Sequence, residues 1–115
     1  MKHFLLMAAL LATPALATDG PVFMGFGTHT PVEHDVAIPK GMVLRHVYDV
    51  TAATPAKRNP GFETAARFIN SHVANGMAER DVAVAVVVHG PAIAELTRPE
   101  VYAGRNAGAA NASEA

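Results

Sequence analysis

The residue best placed to do chemistry in this chain is His89. It follows seven apolar residues, Val82 to Val88, and precedes Gly90-Pro91. An apolar strand fixes the position of the side chain that ends it, and glycine lets the backbone turn closely around a ligand. Pro91 suits a first helical turn, where the missing amide hydrogen would have no partner. An imidazole held there can hydrogen-bond an anionic oxygen or sulfur, and imidazole is the side chain best suited to exchanging protons near neutrality. A second group, Lys57-Arg58-Asn59, stands directly before Pro60. It combines two cations with a capping residue at a helix start, where free amides carry partial positive charge. His89, Gly90, Asn59, Lys57 and Arg58 are therefore the candidate ligand-binding residues. They suit an anion, or a sulfur atom presented by a partner. The plainer alternative is a solvated loop beside a histidine bonded to a turn.

Other chemistries lose their residues on inspection. His29 and His34, flanked by Glu33 and Asp35, match no established metal-ligand spacing, so no metal is expected. His46 and His72 read as core-edge residues, each donating one hydrogen bond. His89-Gly90 also occurs in the oxyanion loops of serine esterases. However, the chain has no Gly-x-Ser-x-Gly elbow, and its only serines are Ser71 and Ser113. No Gly-x-Gly-x-x-Gly follows a strand, so no dinucleotide or other cofactor is expected. With no cysteine there is no disulfide, thiolate metal site or thiol nucleophile in this chain. No catalytic residue is assigned, and the balance leans away from an enzyme.

The elements that must position these residues are legible from pattern. Val43 to Val50 is rich in β-branched and aromatic residues and reads as a strand, followed by a loop from Thr51 to Arg58. Asn59 and Pro60 start a helix as cap and first residue. Phe62, Ala65, Ala66, Ile69 and Val73 form its apolar stripe, and Gly76 is its left-handed stop. Glu63, Arg67, Asn70 and Asn75 lie on the opposite face. Val82 to Val88 lacks alternation, which predicts a strand covered on both faces, and Ala92 to Leu96 begins a short second helix. Strand, helix, strand, helix is the order of an α/β fold with a right-handed crossover. Asn111 and Glu114 have capping-box spacing, which announces a further helix after a small-residue loop from Arg105 to Ala110.

Composition and the chain's start bound the rest. Lys2, the apolar run Phe4 to Leu16 and the small-x-small site Ala15-Leu16-Ala17 read as a secretory leader cleaved after Ala17. The run is too short, and too broken by Pro14, to span a bilayer, so no membrane anchor is expected after cleavage. Loss of the leader takes Lys2 with it and leaves a formal charge of −2. That charge, with no basic stripe, argues against nucleic acid. The expected organisation is a leader over residues 1–17, an irregular arm over 18–42 in which Pro21 to Phe26 lies extended, and an α/β portion over 43–115. The localisation expected is periplasmic or secreted.

Three segments together resemble the DsrE family: Val47-Tyr48-Asp49-Val50, then Asn59 to Asn70 (NPGFETAARFIN), then Val86-Val87-Val88-His89-Gly90. Gly20-Pro21-Val22, Gly25-Phe26-Gly27 and Arg105-Asn106 resemble the exported branch of that family, whose members carry a signal peptide. No single motif is specific; the ordered set is. The resemblance implies a three-layer α/β/α domain with a mainly parallel sheet, assembled into trimers or hexamers. It also implies a sulfur-relay or small-ligand role. Cytoplasmic relatives carry a persulfide on a cysteine, and exported ones commonly place a cysteine on a strand in the second half, before which this sequence stops. The expectation is thus an N-terminal portion of such a protein, whose apolar strand Val82–Val88 associates promiscuously when left uncovered. The alternatives are a non-catalytic oligomeric binding module and a nonfunctional truncated product.

Overall fold

The computed structural model of the chain describes residues 15–114. The charged start and most of the apolar core of the expected leader lie outside them, while Ala15 to Ala17 are exposed. The first strand, β1, spans Leu44–Val50, and β2 spans Val82–Val88. They pair in parallel, with Leu44 opposite Val82 and Val50 opposite Val88. Between them, α1 runs over Pro60–Ala74. The chain is therefore mixed α/β, with a small two-stranded parallel sheet.

The start of α1 follows from the residues before it. Asn59 has extended backbone and accepts the Gly61 amide on its side chain at 2.9 Å, and Pro60 follows as the first helical residue. At the other end Gly76 takes φ +98°, the left-handed conformation that closes a helix at little cost only for glycine. The apolar stripe packs as its spacing predicts. Ala65 and Ala66 are buried, and Ile69 and Phe62 turn toward Val84 and Val86 of β2. On the β1 side Phe68 stacks on His46 and tilts against His72, whose Nδ1 lies 2.7 Å from the Phe68 carbonyl.

Three elements depart from the sequence reading. Among the described residues the sheet is covered on one face only: Val82, Val84, Val86 and Val88 face α1, while Val47 and Val87 on the other face are 63% and 52% exposed. The segment after β2 is a 3-10 helix, Gly90–Leu96, rather than an α-helical turn beginning at Ala92. A second α-helix, α2, spans Pro99–Arg105, partly within what reads as loop. Its signals were conventional: a proline in its first turn, Glu100 near its start and Arg105 near its end. The capping-box residues open no helix among the described residues. Asn111 instead accepts the Ser113 amide at 3.1 Å in a turn.

The arm differs most. Pro21 to Phe26 is a series of bends, closed at its base by an antiparallel bridge between Thr18 and His29. It is fastened by the polar residues of α1 that flank the apolar stripe. Asn70, with 0% exposure, accepts the Val22 and Phe23 amides and donates to the carbonyls of Phe23, Phe26 and Gly27. Glu63 accepts the Gly27 amide at 2.7 Å, and Arg67 donates to the Thr28 carbonyl at 2.7 Å. Gly27, at φ +61°, lies so close to α1 that a Cβ would stand 2.5 Å from the Arg67 backbone nitrogen. That approach requires glycine.

Candidate ligand site at the strand ends

Parallel pairing brings the carboxyl ends of both strands to one place, where open α/β sheets collect ligands. Two residues beyond the Asp49–Val87 pair, the register sets Thr51 beside His89. All three polar side chains, Asp49, Thr51 and His89, fall on the uncovered face. His89 Nε2 lies 2.6 Å from Asp49 Oδ1 and 3.0 Å from Thr51 Oγ1. Its backbone amide donates to the Val50 carbonyl at 3.1 Å, and the Ala92 amide donates to Thr51 at 3.1 Å. Gly90 takes φ +60°, which makes the turn between these two bonds.

The arrangement fixes the ring chemically. An ionised carboxylate only accepts, so Nε2 carries the proton of the Asp49 contact, and a neutral ring held this way has its lone pair on Nδ1. Nδ1 makes no hydrogen bond among the described residues. Both Asp49 and Thr51 meet the same ring nitrogen, so this is no serine-protease relay, in which the two partners take opposite nitrogens. It is an oriented imidazole with one nitrogen held and the other available. The side chains of His89 and Asp49 are 53% and 68% exposed, so a small molecule reaches them without any opening step.

The other sequence candidates lie elsewhere or are already engaged. Arg58 turns toward the arm: it donates to the Gly25 carbonyl at 2.7 Å, pairs with Glu63 at 3.2 Å and sits 4.8 Å over the Phe26 ring. Its role is to hold the arm. Asn59 is buried and used at both ends of its amide, capping Gly61 and donating to the Ala52 carbonyl at 2.9 Å. Lys57 is exposed in the loop after β1, and its ammonium forms no ion pair among the described residues. His29 is buried at the base of the arm while His34 is exposed, so the two do not form a pair. Among the described residues no three histidines or carboxylates converge for a metal.

Sequence reasoning missed two partners. Asp49 was visible only as part of a strand, and its role needed the register. Glu95 is the second. Only 4% exposed, it accepts the Thr54 amide at 2.5 Å and the Ser113 hydroxyl at 2.9 Å. Ser113 in turn accepts the Asn59 amide at 2.9 Å, and Asn111 donates to the Glu95 carbonyl at 2.7 Å. One buried carboxylate thus ties the loop after β1, the cap of α1 and residues 111–113 together. A burial this complete is sustainable because the carboxylate has donors.

Comparison with known proteins finds no match. No family model, no curated protein and no solved structure matches the chain.

Proposed function

We propose that this chain is an exported, DsrE-like α/β protein that binds a small anionic, sulfur-bearing ligand through His89. The observation that carries the reading is the 2.6 Å contact between Asp49 Oδ1 and His89 Nε2 at the carboxyl ends of two parallel strands. The carboxylate holds the ring in the tautomer that presents Nδ1 outward. A neutral thiol or hydrogen sulfide arriving there can give its proton to Nδ1. The product pair is a thiolate or hydrosulfide and an imidazolium, the latter stabilised by Asp49. A ligand that arrives as an anion favours uptake of a proton at Nδ1, which then donates to it. Thr51 shares Nε2 and narrows the ring's orientation further. A sulfur-relay role of the kind suggested by the resemblance needs such a proton acceptor beside the sulfur, with the thiol supplied by the ligand or a partner.

The test is calorimetric titration of the protein with thiosulfate and with hydrosulfide. Binding that is lost in His89→Gln, with an unchanged melting temperature, supports the reading. Glutamine keeps a donor but cannot take up a proton. Equal binding by parent and variant refutes it. The His89–Asp49 pair is exposed and screened by solvent, worth no more than about 1 kcal/mol, so little stability should be lost.

A further inference from the structure

Thr51, which shares Nε2 of His89 with Asp49, lies one residue past the end of β1, where strand pairing no longer holds the chain. The loop it opens is strained. The Lys57 amide donates to the Thr54 carbonyl at 3.2 Å and closes a turn, and Ala56 within that turn takes φ +61°. This left-handed conformation is costly for a residue with a Cβ, and it persists only where the surroundings over-determine it. Three contacts do so. The Ala92 amide donates to the Thr51 carbonyl, Asn59 Nδ2 to the Ala52 carbonyl, and the Thr54 amide to Glu95 Oε1. Glu95 stands behind the last two. Its Oε2 accepts the Ser113 hydroxyl at 2.9 Å, and the Ser113 oxygen accepts the Asn59 amide at 2.9 Å.

We propose that Glu95 is a positioning residue of the His89 site and sets ligand affinity through Thr51. This role rests on the His89 reading. Glu95 makes no hydrogen bond to the ring itself. It follows His89 on the 3-10 helix Gly90–Leu96, so one short segment carries both the ring and the anchor of the loop facing it. A buried carboxylate is costly, and Glu95, at 4% exposure, has no cationic partner among the described residues. What the carboxylate adds is two fixed acceptors. One holds the Thr54 amide, and the other reaches the α1 cap through Ser113. Released from Glu95, the loop relaxes its turn at Ala56 and carries the Thr51 hydroxyl away from Nε2. The ring is then held by Asp49 alone and loses part of its orientation before any ligand arrives, which lowers affinity.

Thiosulfate titration of Glu95 variants tests this, together with the nitrogen-15 spectrum of the His89 ring in the ligand-free proteins. Glu95→Ala should weaken binding about tenfold or more and shift the Nε2 resonance while the variant is still folded. Glu95→Gln should stay within about twofold of the parent: its oxygen accepts the Thr54 amide, and its nitrogen donates to Ser113, whose oxygen has a second lone pair. Thr51→Val should weaken binding as much as Glu95→Ala, and the double variant no further, since both act on one contact. Should Glu95→Ala fail to fold, Ser113→Ala decides. It cuts only the Oε2 branch and should weaken binding about threefold, with the Nε2 resonance moved in the same direction. Parent-like binding and ring spectrum in either folded alanine variant overturns the proposal, as does additive loss in the double variant. Glu95 would then only stabilise the fold. His89→Gln keeps the two readings apart. If it abolishes binding while Glu95→Ala binds like the parent, the positioning role alone falls. If His89→Gln itself binds like the parent, the His89 reading falls and takes the positioning role with it.

Discussion

At the scale of single residues, two side chains define the molecule in opposite ways. His89 is exposed and held by one nitrogen, so its value lies in what it leaves unused. Asn70 is wholly buried and uses everything. Its oxygen takes two amides, and its nitrogen, with two hydrogens, faces three carbonyls at 3.0 Å, one of which must share. Substitutions at the two sites should therefore behave differently. Asn70→Asp puts an acceptor against three acceptors and should destabilise the chain by about 3 kcal/mol or more, read from denaturant midpoints. A midpoint equal to the parent's would mean the arm is not fastened through Asn70. Asp49→Asn should leave the midpoint within about 1 kcal/mol while weakening thiosulfate binding, because the amide cannot stabilise a charged ring. Unweakened binding by Asp49→Asn would remove Asp49 from the site.

At the scale of elements, α1 organises the fold. The apolar stripe packs on the sheet, and the polar residues beside it hold the arm. Asn59→Ala removes the cap from Gly61 and leaves the Ala52 carbonyl without its donor in a buried place, a loss of about 2 kcal/mol. Gly76→Ala meets no neighbouring atom within 4 Å, so only its left-handed backbone counts, and the expected loss is about 1 kcal/mol. If chemical denaturation gave the two variants equal midpoints, the cap network around Asn59 would be doing no more than closing a helix. Gly27→Ala, by contrast, drives a Cβ into the α1 backbone. It should lift the arm and speed hydrogen exchange at the Val22 and Phe23 amides. These elements were readable in advance to different degrees. α1 and β2 carry periodicity, caps and composition that are local, and their boundaries match the sequence reading to within a residue or two. The docking of the arm was not readable, because Glu63, Arg67 and Asn70 look like any polar helix face until residues 22–28 are placed against them. The site was half legible: His89 follows from its strand, but Asp49 and Thr51 join it only through the parallel register. Arg58 was misplaced for the same reason, since its carbonyl and aromatic partners lie 33 and 32 positions away in the chain.

At the scale of the whole molecule, a two-stranded parallel sheet with one covered face leaves both a site and an edge open. The uncovered face carries Asp49, Thr51 and His89, while β2 brings no charge to its outer edge. Proton exchange with a sulfur-bearing ligand is the central claim, and it depends on which ring nitrogen of His89 carries the proton. The direct measurement is the nitrogen-15 spectrum of the His89 ring, assigned by comparison with His89→Gln, without and with thiosulfate. The free protein should show the proton on Nε2 and an unprotonated Nδ1, and thiosulfate should shift Nδ1 toward its protonated value. A proton found on Nδ1 in the free protein, or a ring spectrum indifferent to thiosulfate, would contradict the account.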